Sequence, residues 1–278
     1  MANESKPLLS IRNLNKQFGT GCSYCHSHKE GLDHNYCPRC GTVYALQNVN
    51  FDLYPQEILG IVGESGSGKS TLMQCLYFDQ YPQQGNYHFQ GEEYTNLFEA
   101  PRREQRRLRN EKFGMIYQNP LRGLRMNYSS LSNIGENLIA AGWRNVESMT
   151  NRAEFLLDQV KIASFRMKES PSHFSGGMQQ RVQIAKALSN NPPVLFLDEV
   201  TTGLDLSVQA KVLDLIKEIQ REYKVSMLLV SHDLSVVKML ADRALVMLNG
   251  QVIEEGLTDQ ILEDPQHQYT QELVHSLL

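Results

Sequence analysis

Residues 63–70 read Gly63-Glu64-Ser65-Gly66-Ser67-Gly68-Lys69-Ser70, a G-x-x-x-x-G-K-[ST] run. These residue types at this spacing bind phosphate. Gly63, Gly66 and Gly68 let backbone N–H groups close around a nucleotide's phosphates, with Ser65, Ser67 and Thr71 in the same cradle. Lys69 reaches the β- and γ-phosphates, and the Ser70 hydroxyl can take a Mg²⁺ coordination site. A second stretch, Pro193-Val194-Leu195-Phe196-Leu197-Asp198-Glu199, is an apolar run ending in two carboxylates. Asp198 is positioned to hold Mg²⁺, directly or through water. Glu199 is the candidate to orient and polarise an attacking water. Alone, two acids can simply end a strand. Paired with the phosphate loop, they point to ATP hydrolysis.

Four of the five cysteines form a second constellation, Cys22-x₂-Cys25-x₁₁-Cys37-x₂-Cys40. A tight turn between two thiolates aims both sulfurs at one ion, and two such turns complete a tetrahedral Cys₄ zinc site. An iron–sulfur centre or a redox pair remains an alternative; lasting disulfides do not suit a cytosolic compartment. His26, His28 and His34 read as solvated loop residues, with a substitute ligand role as the alternative. Cys75 reads as a small core residue. A closed Cys₄ site has no open coordination position, so its role is structural. Its outer face either contacts a partner or merely covers a stapled loop.

The elements that position these groups are legible. Glu57–Val62 is a strand leading into the phosphate loop, and Ser70–Leu76 opens as a helix whose N-terminal dipole faces the anion. Val225–Val230 and Ala244–Leu248 are apolar runs of strand length, suited to a sheet covered on both faces. Gly250 followed by Gln251–Gly256 reads as a hairpin and strand, and Asp264–Thr270 leads into a short helix. A length of 278 residues allows one or two domains and a large core. The net charge of −4 carries no nucleic-acid footprint. The basic run Arg102–Arg109 reads as a solvated helix face or a partner contact. No apolar run approaches the length of a membrane span, and no secretory signal is evident. A cytoplasmic protein is expected, serving a membrane only through a partner.

Between the two nucleotide motifs lies Phe174-Ser175-Gly176-Gly177-Met178-Gln179-Gln180-Arg181. It resembles the signature of ATP-binding cassette (ABC) proteins, with Phe in place of the usual Leu and Met in place of the first Gln. Gln118, in Met115-Ile116-Tyr117-Gln118-Asn119-Pro120, matches that family's glutamine loop. Gly203-Leu204-Asp205 matches its D-loop, and His232, in Val230-Ser231-His232-Asp233, its switch histidine. Phe18 stands where the family stacks an aromatic on adenine. Val200 departs from the usual Pro, with little expected effect. Singly these are weak: Ser175-Gly176-Gly177 alone reads as a helix N-cap with a tight turn, His232 as a surface or core histidine, Phe18 as a core or loop aromatic. Their order and spacing carry the resemblance.

The resemblance implies an α/β fold, a P-loop NTPase core of ABC type in a single nucleotide-binding domain over 1–278. It adds an antiparallel β-subdomain, a helical subdomain at about 119–180, and, as the cysteine insertion, a small zinc knuckle at 21–41 that extends a hairpin. Gln118 joins Ser70 and Asp198 at Mg²⁺, and Gln118, Glu199 and His232 form the catalytic set. Ser175, Gly176 and Gly177, with Asp205 nearby, are implied to act on ATP bound to a second cassette. The implied assembly is therefore a dimer enclosing two ATP molecules, with a homodimer expected.

Finer features are similar to the cassette subunit of the carbon–phosphorus lyase system. They are Pro120-Leu121-x-Gly123-Leu124-Arg125, Asn133-Ile134-Gly135-Glu136-x-Leu138, the signature itself, Gly203-Leu204-Asp205-x-Ser207-Val208-Gln209-Ala210 and Asp264-Pro265-x-His267-x-Tyr269-Thr270-Gln271. The cysteine knuckle lies outside that pattern. This likeness implies a role in phosphonate breakdown and association with a lyase core. The alternative is the ATP-binding subunit of a peptide or nickel importer, which shares the tail type but usually continues past it, where this sequence stops at Leu277-Leu278. Cassette proteins of translation or DNA repair normally carry two cassettes or a long coiled coil, and neither is seen.

Overall fold

The computed structural model of the chain describes residues 6–27, 32 and 35–275. In chain order the elements are β1 (Leu9–Phe18), α1 (Ser23–Ser27), β2 (Val43–Leu53), β3 (Ile58–Val62), α2 (Lys69–Leu76), β4 (Gln84–Phe89), α3 (Arg102–Glu111) and β5 (Phe113–Ile116). There follow α4 (Pro120–Gly123), α5 (Ser130–Ala140), α6 (Val146–Gln159), α7 (Gly176–Ala187), β6 (Val194–Asp198), α8 (Leu206–Tyr223) and β7 (Ser226–Val230). The chain closes with α9 (Leu234–Leu240), β8 (Arg243–Leu248), β9 (Gln251–Leu257), α10 (Thr258–Glu263) and α11 (Gln268–His275). Two compact units result, 1–101 with 229–278, and 102–228.

In the first unit, β2, β1 and β4 form an antiparallel sheet in that order. Leu9, Ile11 and Leu14 of β1 are fully buried. The step between Ile11 and Leu14 is irregular, because a bulge shifts the register there. Every residue of β3 is buried, as expected of a strand covered on both faces. It pairs in parallel with β8, Leu59 opposite Arg243 and Val62 opposite Val246. Gly60 is required in that strand: a Cβ there would press on Val237 of α9 and on Ala241, which ends that helix. The chain then reverses from β8 into antiparallel β9 through Asn249 and Gly250, with Leu248 opposite Gln251. Both turn residues are left-handed, at φ 49° and 75°. This Asn-Gly pair suits a two-residue hairpin, because its twist matches the flanking strands.

The second unit contains the parallel pair β5 and β6, with Met115 opposite Phe196 and Ile116 opposite Leu197. Both strands are buried throughout. Helices α4 to α6, and the start of α7, occupy the stretch expected to be helical. Their starts are set locally: the side chains of Asn119, Ser129 and Asn145 each accept a backbone N–H of the first turn. The basic run is helix α3. It buries Gln105 and Leu108 and pairs Arg107 with Glu104 and Glu111, the solvated-face arrangement. Among the described residues, no helix is long and apolar enough to cross a membrane.

Candidate functional site

The phosphate loop begins where β3 ends. Gly63 (φ 145°), Gly66 (φ 86°) and Gly68 (φ 104°) occupy backbone regions closed to other residues. At two of them space is short as well. A Cβ on Gly63 would strike the Met247 carbonyl, and one on Gly68 the Ala45 carbonyl oxygen. Gly68 caps α2, so Lys69, Ser70 and Thr71 form its first turn. There the first-turn N–H groups and the helix dipole point at the loop and favour an anion. Lys69 is buried, and its ammonium donates to the carbonyls of Gly63 (2.7 Å) and Glu64 (2.6 Å) and lies 3.3 Å from the Ser67 hydroxyl. Two tethers hold the loop from outside. Gly250 N–H donates to the Ser67 carbonyl at 3.0 Å, and Glu64 N–H donates to the Tyr269 hydroxyl of α11 at 2.9 Å. The Tyr269 tether escaped the sequence reading. The tail motif was the signal, but nothing in a sequence says where a tail returns.

In the same unit, Phe18 ends β1 exposed, with the Lys16 ammonium 4.9 Å from its ring centre. His232 sits exposed between β7 and α9. Its neighbours are fixed: Ser231 N–H donates to the Ile61 carbonyl, and Asp233 caps α9 through Ser235 N–H.

In the second unit, Asp198 is the last residue of β6 and is buried. Glu199 follows in the left-handed region, at φ 47°. For a glutamate this backbone costs about 1 kcal/mol or more and clusters at functional sites. Gln118 Nε2 donates to Glu199 Oε2 at 2.9 Å, and the Thr202 hydroxyl lies 3.3 Å from the same oxygen. The glutamine loop and the candidate base are therefore in direct contact. Val200 is buried. Ser175 starts α7 in cap geometry, but its hydroxyl makes no capping hydrogen bond and the residue is exposed. Gly177 is forced to be Gly by Val208 of α8, whose methyl occupies the position of a Cβ. Asp205 caps α8, accepting from Val208 N–H (3.0 Å) and the Ser207 hydroxyl (2.8 Å). Those bonds hold its carboxyl below the usual range.

Gln183 of α7 was not a sequence candidate. Its side chain accepts from Tyr117 N–H at 2.9 Å and donates to the Tyr117 carbonyl at 3.0 Å, and a Cβ on Gly123 would collide with it. It thus ties the glutamine loop to the signature helix. A lone glutamine inside a helix gives no hint of this. Further along that loop, Arg122 lies over the Tyr117 ring, and Arg125 and Lys186 both pair with Glu136.

The four cysteines converge. Their sulfurs all lie within 4.8 Å of one another. Cys22 to Cys25 is 3.7 Å, Cys22 to Cys37 is 3.8 Å and Cys25 to Cys40 is 3.8 Å. A tetrahedral ion with bonds of about 2.3 Å to sulfur sets its ligands about 3.8 Å apart, whereas a disulfide needs about 2.05 Å. The donor set fits a tetrathiolate metal. Cys37 N–H donates to the Thr42 carbonyl and Gly41 N–H to the Cys37 carbonyl, closing one knuckle on Gly41 at φ 72°. Cys25 and Cys37 pack on Tyr44, whose hydroxyl donates to Cys25 Sγ at 3.3 Å. The Thr42 hydroxyl lowers the Cys40 thiol to about 6, and burial pushes Cys37 up to about 11. Cys75 is buried apart from them on α2, its thiol pushed up to about 12 by burial, as a core residue. His28, His34 and the side chain of His26 lie outside the described residues.

Residues 46–202 match the family described as ABC transporter. PhnK of Escherichia coli (strain K12), an ATP-binding protein to which phosphonates utilization is provisionally assigned, is 44% identical over 99% of this chain and 99% of its own length. The oligopeptide transport ATP-binding protein OppD of Bacillus subtilis (strain 168) is 40% identical over 85% of this chain and 67% of its own length. Among solved structures, the dimeric post-hydrolysis state of the ATP-binding cassette MJ0796 bound to ADP and Pi gives a TM-score of 0.75 at 28% identity. That likeness covers 90% of this chain and 98% of that one. Motif order, fold and relatives converge: the chain belongs to the ABC family and is an ATP-hydrolysing cassette.

Proposed function

We propose that this cassette hydrolyses ATP for a cytoplasmic carbon–phosphorus lyase assembly that breaks down phosphonates, as one half of a homodimer. The observation that carries this reading is the end-to-end likeness to PhnK. Phe18 stacks the adenine. Loop N–H groups and Lys69 bind the phosphates, and Ser70, Gln118 and Asp198 would hold Mg²⁺, which would supply neutralisation of the phosphate charge. Glu199 accepts a proton from the water that attacks the γ-phosphorus, while the bridging oxygen departs with ADP. The Gln118 amide nitrogen is directed at Glu199, which leaves metal binding to its Oε1 and lets one residue orient the base and sense the ion. His232 contacts the γ-phosphate, and Ser175, Gly176 and Gly177, with Asp205, serve the partner's nucleotide. The cysteine knuckle would hold one structural zinc, a reading supported by three sulfur spacings of 3.7–3.8 Å and by a set of four thiols, the number that a closed tetrahedral site takes.

The second reading, a peptide-importer subunit, is favoured by the likeness to OppD. The two separate on partners. Purified without detergent from cells that express lyase subunits, the chain should co-purify with them. Charge reversal at Arg122, which belongs to no nucleotide motif, should weaken that association more than it weakens ATP binding. Recovery only with membrane permease subunits would decide for the importer.

A further inference from the structure

The cysteine loop returns to the sheet beside the adenine residue. Phe18 is directly opposite Val43 in the β1–β2 register, and Val43 is in turn bridged to Tyr36. Residues directly opposite across antiparallel strands project from the same face. The burial pattern agrees. Phe18, Val43 and Tyr36 are 42%, 36% and 49% exposed, while Asn35, Cys37 and Tyr44 on the other side of the backbone are 6%, 0% and 3% exposed. At an inter-strand spacing of about 4.8 Å, the row is about 10 Å long, enough to underlie a two-ring base.

A second observation ties this row to the phosphate loop. Asn35 Oδ1 accepts from Gln47 Nε2 at 2.8 Å, Gln47 N–H donates to the Gly250 carbonyl at 2.8 Å, and Gly250 N–H donates to the Ser67 carbonyl at 3.0 Å. The backbone carrying Tyr36 is thereby referenced to the phosphate cradle by three hydrogen bonds. On its other side Tyr36 is adjacent to Cys37, a member of the thiol cluster.

We propose that Tyr36, supplied by the cysteine loop, completes a Phe18–Val43–Tyr36 platform for the adenine base of bound ATP. This rests on the assignment of Phe18 to the base. Phe18 and Val43 underlie one part of the base, and the Tyr36 ring extends the stacking surface at the far end of the row. The cysteine cluster then has a role in nucleotide affinity, because it fixes the residue next to Tyr36.

The test is equilibrium binding of ATP and of inorganic tripolyphosphate, which has no base, to wild type, Tyr36→Ala, Tyr36→Phe and Phe18→Ala. Base–aromatic stacking predicts an ATP Kd raised about five- to tenfold in Tyr36→Ala, with tripolyphosphate binding unchanged. Tyr36→Phe should recover most of the loss. Wild-type ATP affinity in Tyr36→Ala, beside a loss in Phe18→Ala, overturns the role of Tyr36 and leaves the Phe18 assignment standing. Unchanged ATP affinity in both variants overturns the base site as a whole. An equal loss for ATP and tripolyphosphate in Tyr36→Ala shows a displaced phosphate loop and also overturns the proposal.

Discussion

Glu199 is held in a left-handed backbone and bonded to Gln118 and Thr202 through one carboxylate oxygen. Such a conformation persists only where the surroundings over-determine it. The expected consequence is that Glu199→Gln folds and binds ATP like the wild type, since the amide keeps the shape and can still accept from Gln118. It cannot take the proton of the attacking water, so steady-state hydrolysis should fall by about 100-fold or more. An ATPase assay near wild-type turnover would refute the assignment. Lys69→Ala should behave differently. It removes the buried ammonium of the loop and should weaken ATP binding itself, read by nucleotide titration. These two candidates are legible in the sequence because each residue type stands at a fixed offset in a motif. Gln183 and Tyr269 are not. Each acts on a backbone group far away in sequence, and only the fold creates that pairing.

At the scale of elements, β3, β6, β7 and β8 were readable because strands buried on both faces leave continuous apolar runs. The β8–β9 hairpin was readable from Gly250, and the structure adds Asn249 as the first residue of its turn. What sequence could not supply was the register that sets Tyr36 beside Val43 and Phe18, because register depends on how a loop of unknown shape returns to the sheet. The two C-x-x-C pairs announced their convergence, and the sulfur spacings agree with it. Purified protein should accordingly contain about one zinc per chain by elemental analysis. Cys37→Ser should release it. The rest of the first unit has its own core in β3, β8 and α2, so the variant should keep a cooperative thermal transition. Iron with acid-labile sulfide, or no metal in reduced protein, would contradict the tetrathiolate zinc reading.

For the whole molecule, the question is which chain completes which site. Ser175 stands at the N-terminus of α7 with a hydroxyl that makes no capping bond, and Ser175 and Gly176 are exposed while Gly177 packs on Val208. A helix N-terminus without its own cap, exposed at its first residues, suits an anion supplied from elsewhere. In a two-fold dimer each contact occurs twice, so a residue acting on the partner's nucleotide gives a defect that a second mutant chain can complement. Lys69→Ala and Ser175→Arg should each be inactive alone. In mixed dimers, one site combines both lesions and the other has an intact loop facing an intact signature. Equal mixing of chains that exchange freely makes half the dimers mixed, so about a quarter of all sites are whole if the two sites work independently. Hydrolysis should rise to that level on mixing. If Ser175 instead served the nucleotide of its own chain, every site would carry one lesion, and the mixture would be as inactive as its components.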